Sequence, residues 1–203
     1  MPRVLINKKL IEGQEKKKSK LKKRKIGNKS VNGFYVRGRY QILTLDPKPD
    51  HVPTEEWLKM RRDGRIAKHI RSVSPVHENL IMLDTDVGLN LIMQHFSGDV
   101  TYPLEIDLAA IGTGTTAPAS TDTALETPVV TSIPRAIGEL TAVDTFYTEW
   151  FITNDELANG EYTEFALYCG TQIFARSLIE SPTHTKADNE DTLIVYSITC
   201  ANS

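Results

Sequence analysis

The charge along this chain is divided near residue 71, and that division limits what each part can fold into. Residues 1–71 hold 21 Lys and Arg against 7 Asp and Glu; residues 72–203 hold 3 (Arg135, Arg176 and Lys186) against 19. A formal net charge of −2 therefore hides a strongly bipolar molecule. A chain of this kind suits contact with nucleic acid, with an acidic protein surface or with the acidic half of a neighbouring copy. A monomeric enzyme seldom needs such a split.

The basic end is concentrated in Lys16, Lys17, Lys18, Lys20, Lys22, Lys23, Arg24 and Lys25, eight cations within ten residues, with Leu21 alone to bury. Self-repulsion and the lack of apolar periodicity predict no autonomous fold, so residues 1–33 read as an extended basic arm. Fully extended, such an arm reaches roughly 100 Å at ~3.3 Å per residue, enough to thread between subunits. It would bind DNA or RNA by counterion release, or act as an electrostatic strap on acidic protein. Sequence-specific reading is not expected, since no zinc-finger or helix-turn-helix pattern accompanies it.

The remaining length supports one hydrophobic core. No apolar run approaches the ~18 residues of a membrane span, and the first residues lack the apolar stretch of a secretory signal. Cys169 and Cys200 fit no metal spacing and lie in strand-like runs; they read as free thiols of a protein made in a reducing cytoplasm.

A strand is expected over 33–45, although its alternation is only partial, because Leu43 and Leu45 fall out of phase with Tyr40 and Ile42. Thr54 followed by Glu55, Glu56 and later Lys59, Arg61 and Arg62 predicts a capped helix ended by Gly64. A second helix is expected over 85–96, with Gly98 just past its end. Strands follow over 104–111, 128–137, 141–153, 162–168, 172–179 and 192–200. Turns are expected at Gly138-Glu139, Asn159-Gly160, Cys169-Gly170-Thr171 and Ser181-Pro182. The strand spacing argues for an antiparallel sandwich or barrel, and the fold expected is mainly β: an antiparallel β-sandwich over 100–203, a strand-and-helix connector over 34–99 with one or two short helices, and the arm over 1–33.

Chemistry is sparse. Gly112-Thr113-Gly114-Thr115-Thr116 follows a strand, but no Lys occurs between Arg71 and Lys186 and no helix pattern follows, so a phosphate loop fails and an inter-strand loop remains. The five histidines form no ligand cluster, and there is no Gly-x-Ser-x-Gly elbow. The pairs Asp155-Glu156 and Glu190-Asp191 lie in turn-like segments and read as solvated loops. No catalytic residue, metal, cofactor or small-molecule substrate is expected, and the chain reads as a non-enzyme. A receptor- or carbohydrate-binding sandwich would need an aromatic platform, for which Phe146, Tyr147, Trp150 and Phe151 are the candidates; alternate residues of a strand face opposite ways, which favours core instead.

The run Ile-Gly-Thr-Gly-Thr-Thr-Ala-Pro-Ala-Ser-Thr-Asp-Thr-Ala-Leu at 111–125 resembles a recurrent segment of small structural proteins of tailed bacteriophages. Arg135, then Asn159-Gly160, Glu164 and Ala166-Leu167-Tyr168, Ile173-Phe174-Ala175-Arg176, Lys186 and the 193–199 run follow in the order expected of that group. Asn79-Leu80-Ile81 and Gly88-Leu89 precede them. The resemblance spans about residues 79–200 and departs at Ala166, where a glycine is expected; the 54–71 segment and the arm have no counterpart. It implies a virion component with a small β-sandwich, placed at a neck, tail, baseplate or capsid fibre, made in the host cytoplasm. Its partners would be other virion proteins and copies of itself, with packaged DNA a further partner for the arm and no membrane involved. Gly112–Thr116 would then be an inter-subunit loop and the cations at 16–25 the anchor.

Overall fold

The structure, a computed structural model, describes residues 34–202 apart from Thr85 and Ser181. The expected arm 1–33, with its cations at 16–25, lies outside the described residues. The chain enters as β1 (Phe34–Leu45), α1 (Thr54–Arg62), β2 (Ile70–Val73), β3 (His77–Ile81), β4 (Leu83–Asp84), β5 (Val87–Gly88) and α2 (Leu89–Ser97). It continues as β6 (Ile106–Gly112), β7 (Pro128–Ala142), β8 (Thr145–Ile152), β9 (Gly160–Tyr162) and β10 (Glu164–Cys169). The last strands are β11 (Gln172–Leu178), β12 (His184–Lys186) and β13 (Asp191–Asn202).

The mainly β, antiparallel content holds, but the sandwich does not. The strand order β13-β8-β7-β6-β10-β11-β3-β1 returns to its start, because β1 pairs with β13 along its whole length, from Phe34↔Asn202 to Leu45↔Asp191. The result is a closed eight-stranded antiparallel barrel with β2 attached outside β1. Closure depends on strands that serve two neighbours. β7 pairs with β6 from Pro128 to Pro134, shifts register, and pairs with β8 from Arg135 to Ala142. β3 joins β1 through His77–Asn79 and β11 through Leu80 and Ile81. Strand periodicity carries no information about which edges meet. The barrel also crosses the boundary expected at residue 99, since β1 and β3 are staves beside β6, β7, β8, β10, β11 and β13.

Local expectations differ in instructive places. Gly138-Glu139 is not a turn but the middle of β7. Asn159-Gly160 is not a tight hairpin either: Gly160 opens β9 and pairs with Lys186 of β12. The tight turn is Cys169-Gly170-Thr171 between β10 and β11, with Gly170 at φ +58°. α1 starts at Thr54 behind Pro53, with no side-chain cap. α2 starts at Leu89 rather than Thr85. Gly88 at φ +51° turns the chain so that the Leu89 N–H donates to the Met82 carbonyl at 2.9 Å, and Gly98 at φ +86° ends the helix as expected.

Three apolar clusters follow from the alternation. Inward residues of the staves fill the barrel: Tyr40, Ile42, Ile111, Trp150, Phe165, Leu167, Ile194 and Tyr196, joined by Leu91 from α2 and Leu157, Tyr162 and Ile179 from the connections. Tyr40 and Phe165 ring centroids lie 4.9 Å apart and Trp150 meets Tyr196 edge-on at 6.0 Å. Eight staves enclose a space that side chains can fill, and here aromatic rings occupy it. Outward Leu43, Leu45, Phe151 and Leu193 are covered by Trp57 and Leu58 of α1. That second cover explains the blurred period of β1: a strand buried on both faces reads as a continuous apolar run. On the opposite outer face, Ala110, Ala166 and Ile173 pack with Met82, Val87 and Leu125.

Candidate functional site

The loop 113–127, between β6 and β7, lies over that third cluster and is held by one carboxylate. Glu164 opens β10 and is fully buried, yet its side chain faces outward with Ala166, away from the inward Phe165. Its Oε1 accepts from the Gly114 N–H at 3.0 Å and the Thr127 N–H at 2.7 Å; its Oε2 accepts from the Glu126 N–H at 3.0 Å. Arg176, on the neighbouring β11, donates to the same Oε2 from Nη2 at 2.9 Å and from Nε at 3.2 Å. The guanidinium also reaches Asp122 Oδ2 at 2.6 Å and the Thr116 carbonyl at 3.2 Å. Burial works against the charge on Arg176, but its bonds to Asp122 and Glu164 outweigh that cost and hold its pKa above the ordinary arginine value. A buried pair of opposite charges persists only when its remaining lone pairs and protons are also satisfied, and here backbone amides supply that.

The loop then folds on itself. Glu126 accepts the Thr115 and Thr116 N–H groups, each at 2.8 Å, and the Thr116 hydroxyl at 2.7 Å; these bonds, led by Thr116, lower its pKa. The Ala119 N–H donates to Asp122, the Thr163 hydroxyl donates to the Gly114 carbonyl, and the Leu83 N–H donates to the Ser120 carbonyl. Leu125 plugs the loop into the apolar cluster. The two glycines are required by space rather than by conformation. A Cβ on Gly112 would strike the Thr127 carbonyl, and one on Gly114 would lie 2.6 Å from Glu164 Oε1 and 2.7 Å from Glu126 Cβ. Around these anchors Thr113, Thr115, Thr116, Ala117, Ala119, Ser120 and Thr121 stand exposed. The loop is a braced platform of short side chains, beside a shallow hollow of about 420 Å³ lined by Thr116, Asp122, Thr123 and Arg176.

A second polar knot ties the connections around β9 and β12. Lys186, almost fully buried, donates to Asn154 Oδ1 at 2.9 Å, Asn159 Oδ1 at 3.2 Å and the Ala187 carbonyl at 3.2 Å. Asp191 accepts from the Lys48 and Asn154 N–H groups, both at 2.7 Å, while burial pushes its pKa up. His184 meets the Thr192 hydroxyl at 3.0 Å, and burial lowers its pKa to about 4. Asp155, Glu156 and Asp188 line the adjoining hollow of about 450 Å³. Glu156 caps its own turn through the Thr153 N–H and hydroxyl. Among the described residues no three His, Cys, Asp or Glu side chains gather to hold a metal ion.

The five loop residues singled out from sequence, Gly112–Thr116, are thus together and exposed except for the two glycines. The residues that hold them, Glu164, Arg176, Asp122 and Glu126, carry no functional assignment from sequence; Glu164 and Arg176 enter only as markers of the resemblance. A signal did exist, since each is a lone charge inside an apolar strand, and Arg176 is one of three cations after residue 71. The aromatic candidates do not form a platform: Trp150 fills the barrel, Phe151 packs under α1, Phe146 is partly buried against the barrel core, and the Tyr147 hydroxyl bonds Glu149. Cys169 and Cys200 are both free, and burial raises the Cys169 thiol to about 12. Among the described residues no helix is long and apolar enough to cross a membrane. Comparison with known protein families, with curated proteins and with solved structures finds no match.

Proposed function

We propose that this protein is a structural component of a tailed-phage virion, of the neck, tail or baseplate kind, anchored by its basic arm and packed through the barrel in a symmetric assembly. The observation that carries the reading is the platform 113–127. A loop already fixed by a buried Glu164–Arg176 pair loses little freedom on docking, and Thr, Ser and Ala side chains have little rotamer entropy to lose. A barrel filled by its own aromatic side chains directs recognition to its outer surface. The bipolar charge supplies a strap and a complementary acidic body in one chain.

The test is the mass in solution of the full chain and of a chain lacking residues 1–30, across salt and with and without DNA. Ring- or trimer-sized species that need the arm but not DNA are expected, and Thr115→Arg with Ala119→Arg should dissociate them. A monomer that binds DNA only through the arm would replace this reading with a nucleic-acid-facing component.

A further inference from the structure

β7 outruns its neighbour. Its last pairing with β6 is Pro134↔Leu108, after which Arg135–Ala142 pair with β8 alone. Among the described residues no strand bonds the other side of this stretch. One face is covered, since Ile137 packs with the α1 cluster and Glu139 bonds Arg62 at 3.4 Å. The other face is uncovered: Ala136, Gly138, Leu140 and Ala142 are exposed, Leu140 at 79%, and Val143 at the tip is fully exposed, so nothing lies over the unpaired edge from that side. Open edges are normally blunted by lysine or proline, and 135–153 holds neither. Only the register shifts at Arg135/Ile137 and Leu140/Ala142 interrupt it, leaving a regular run over 137–140.

Three features point to an occupant. The chain outside the described residues leaves from this end of the barrel: Phe34 pairs with Asn202, and Thr199 of the same strand pairs with Thr145, the first residue after the β7–β8 turn. From β1 across β13 and β8 to β7 is three strand spacings, about 14 Å at ~4.8 Å each. Within residues 1–33, Arg3-Val4-Leu5-Ile6-Asn7-Lys8-Lys9-Leu10-Ile11 is the stretch richest in apolar and β-branched side chains, and it carries three cations and no acid. The acids beside the edge outnumber the cations by one: Glu105 is bridged to Arg135 and Glu139 to Arg62, which leaves Asp144 at the tip as the acid without a cation partner among these bridges.

We propose that the open edge 136–142 of β7 is the seat of the N-terminal segment Arg3–Ile11, which adds to it as an extra strand. Main-chain bonds to the edge give the affinity; Val4 and Ile6 on one face and the flanking cations give the register. This rests on the arm as the anchor and names where the anchor lands.

Hydrogen exchange of 136–142, read by mass spectrometry in the full chain, tests it. Those amides should exchange at least about tenfold faster when residues 2–12 are removed, or in the full chain carrying Val4→Lys and Ile6→Lys. Asn28→Asp with Ser30→Asp should leave the protection in place, and a synthetic peptide of residues 1–14 should restore it to the shortened chain. Equal exchange with and without residues 2–12 overturns the proposal, including the case where another copy covers the edge. Assembly is scored separately. Particles that form over an unprotected edge overturn the seat and keep the assembly reading; a protected edge in a chain that never assembles does the reverse.

Discussion

Two outer faces of the barrel are covered in opposite ways. Over β1, β8 and β13 the cover is α1, whose Trp57 and Leu58 bury against Leu43, Leu45, Phe151 and Leu193, with Arg61 bonding the buried Glu149 at the margin. Over β6, β10 and β11 the cover is the loop 113–127, held by the Glu164 carboxylate and the Arg176 guanidinium, with Leu125 as its main apolar plug. A helix satisfies its own backbone and needs only an apolar stripe to dock. A loop has orphan amides and carbonyls, so burying its underside demands charged partners from the sheet beneath. The helical cover therefore tolerates gradual loss, whereas the loop stands or falls on one carboxylate.

The largest test of that contrast is Glu164→Ala, which strips three backbone amides of their acceptor and leaves the buried Arg176 with Asp122 as its remaining bonded carboxylate. It should cost about 3–5 kcal/mol in denaturant unfolding. Glu164→Leu with Arg176→Met should cost much less than the two single changes together, because no lone charge stays behind. Gly114→Ala, which drives a Cβ onto Glu164 and Glu126, should cost about 1–3 kcal/mol and free the loop amides to exchange while α1 stays protected. The acid limb comes next. His184 is held neutral in the fold, with a pKa near 4 against 6.5 when free, so between these values the unfolded chain binds the extra proton. Stability should then rise with pH across about 4 to 6.5, by up to about 1.4 kcal/mol per unit from this group. His184→Gln should flatten that slope. The smallest effect belongs to the other cover: Arg62→Ala, which removes the partly exposed bridge to Glu139, should change stability by less than about 1 kcal/mol.

The same contrast explains which parts were legible. α1 carries its signal locally, in the acids of its first turn, the cations of its last and Gly64 beyond. The strands carry theirs in period-2 runs, and the tight turn at Gly170 and the stop at Gly98 sit on glycines that can take positive φ. The platform was visible only as a small-residue loop. Its rigidity depends on Glu164 and Arg176, about 50 and 60 residues further on, which meet because β10 and β11 pair as Ala166↔Arg176. Asn159-Gly160 misled for the converse reason: the dipeptide permits a hairpin, but Asn159 is held by Lys186 and Asp188, and Gly160 is drawn into pairing with β12.

By itself the sequence determined the strand-rich composition, both helices, the division of charge and the absence of a local catalytic motif, because each is written in neighbouring residues. Only the tertiary structure decided that the strands close into a barrel, that the glycine–threonine loop is braced rather than loose, and that β7 leaves an open edge at the end of the barrel where β1 begins. Those outcomes depend on which distant edges pair and which lone charges meet beneath a loop. Pairing of that kind is fixed by the mutual fit of surfaces far apart in the chain, which no local pattern encodes.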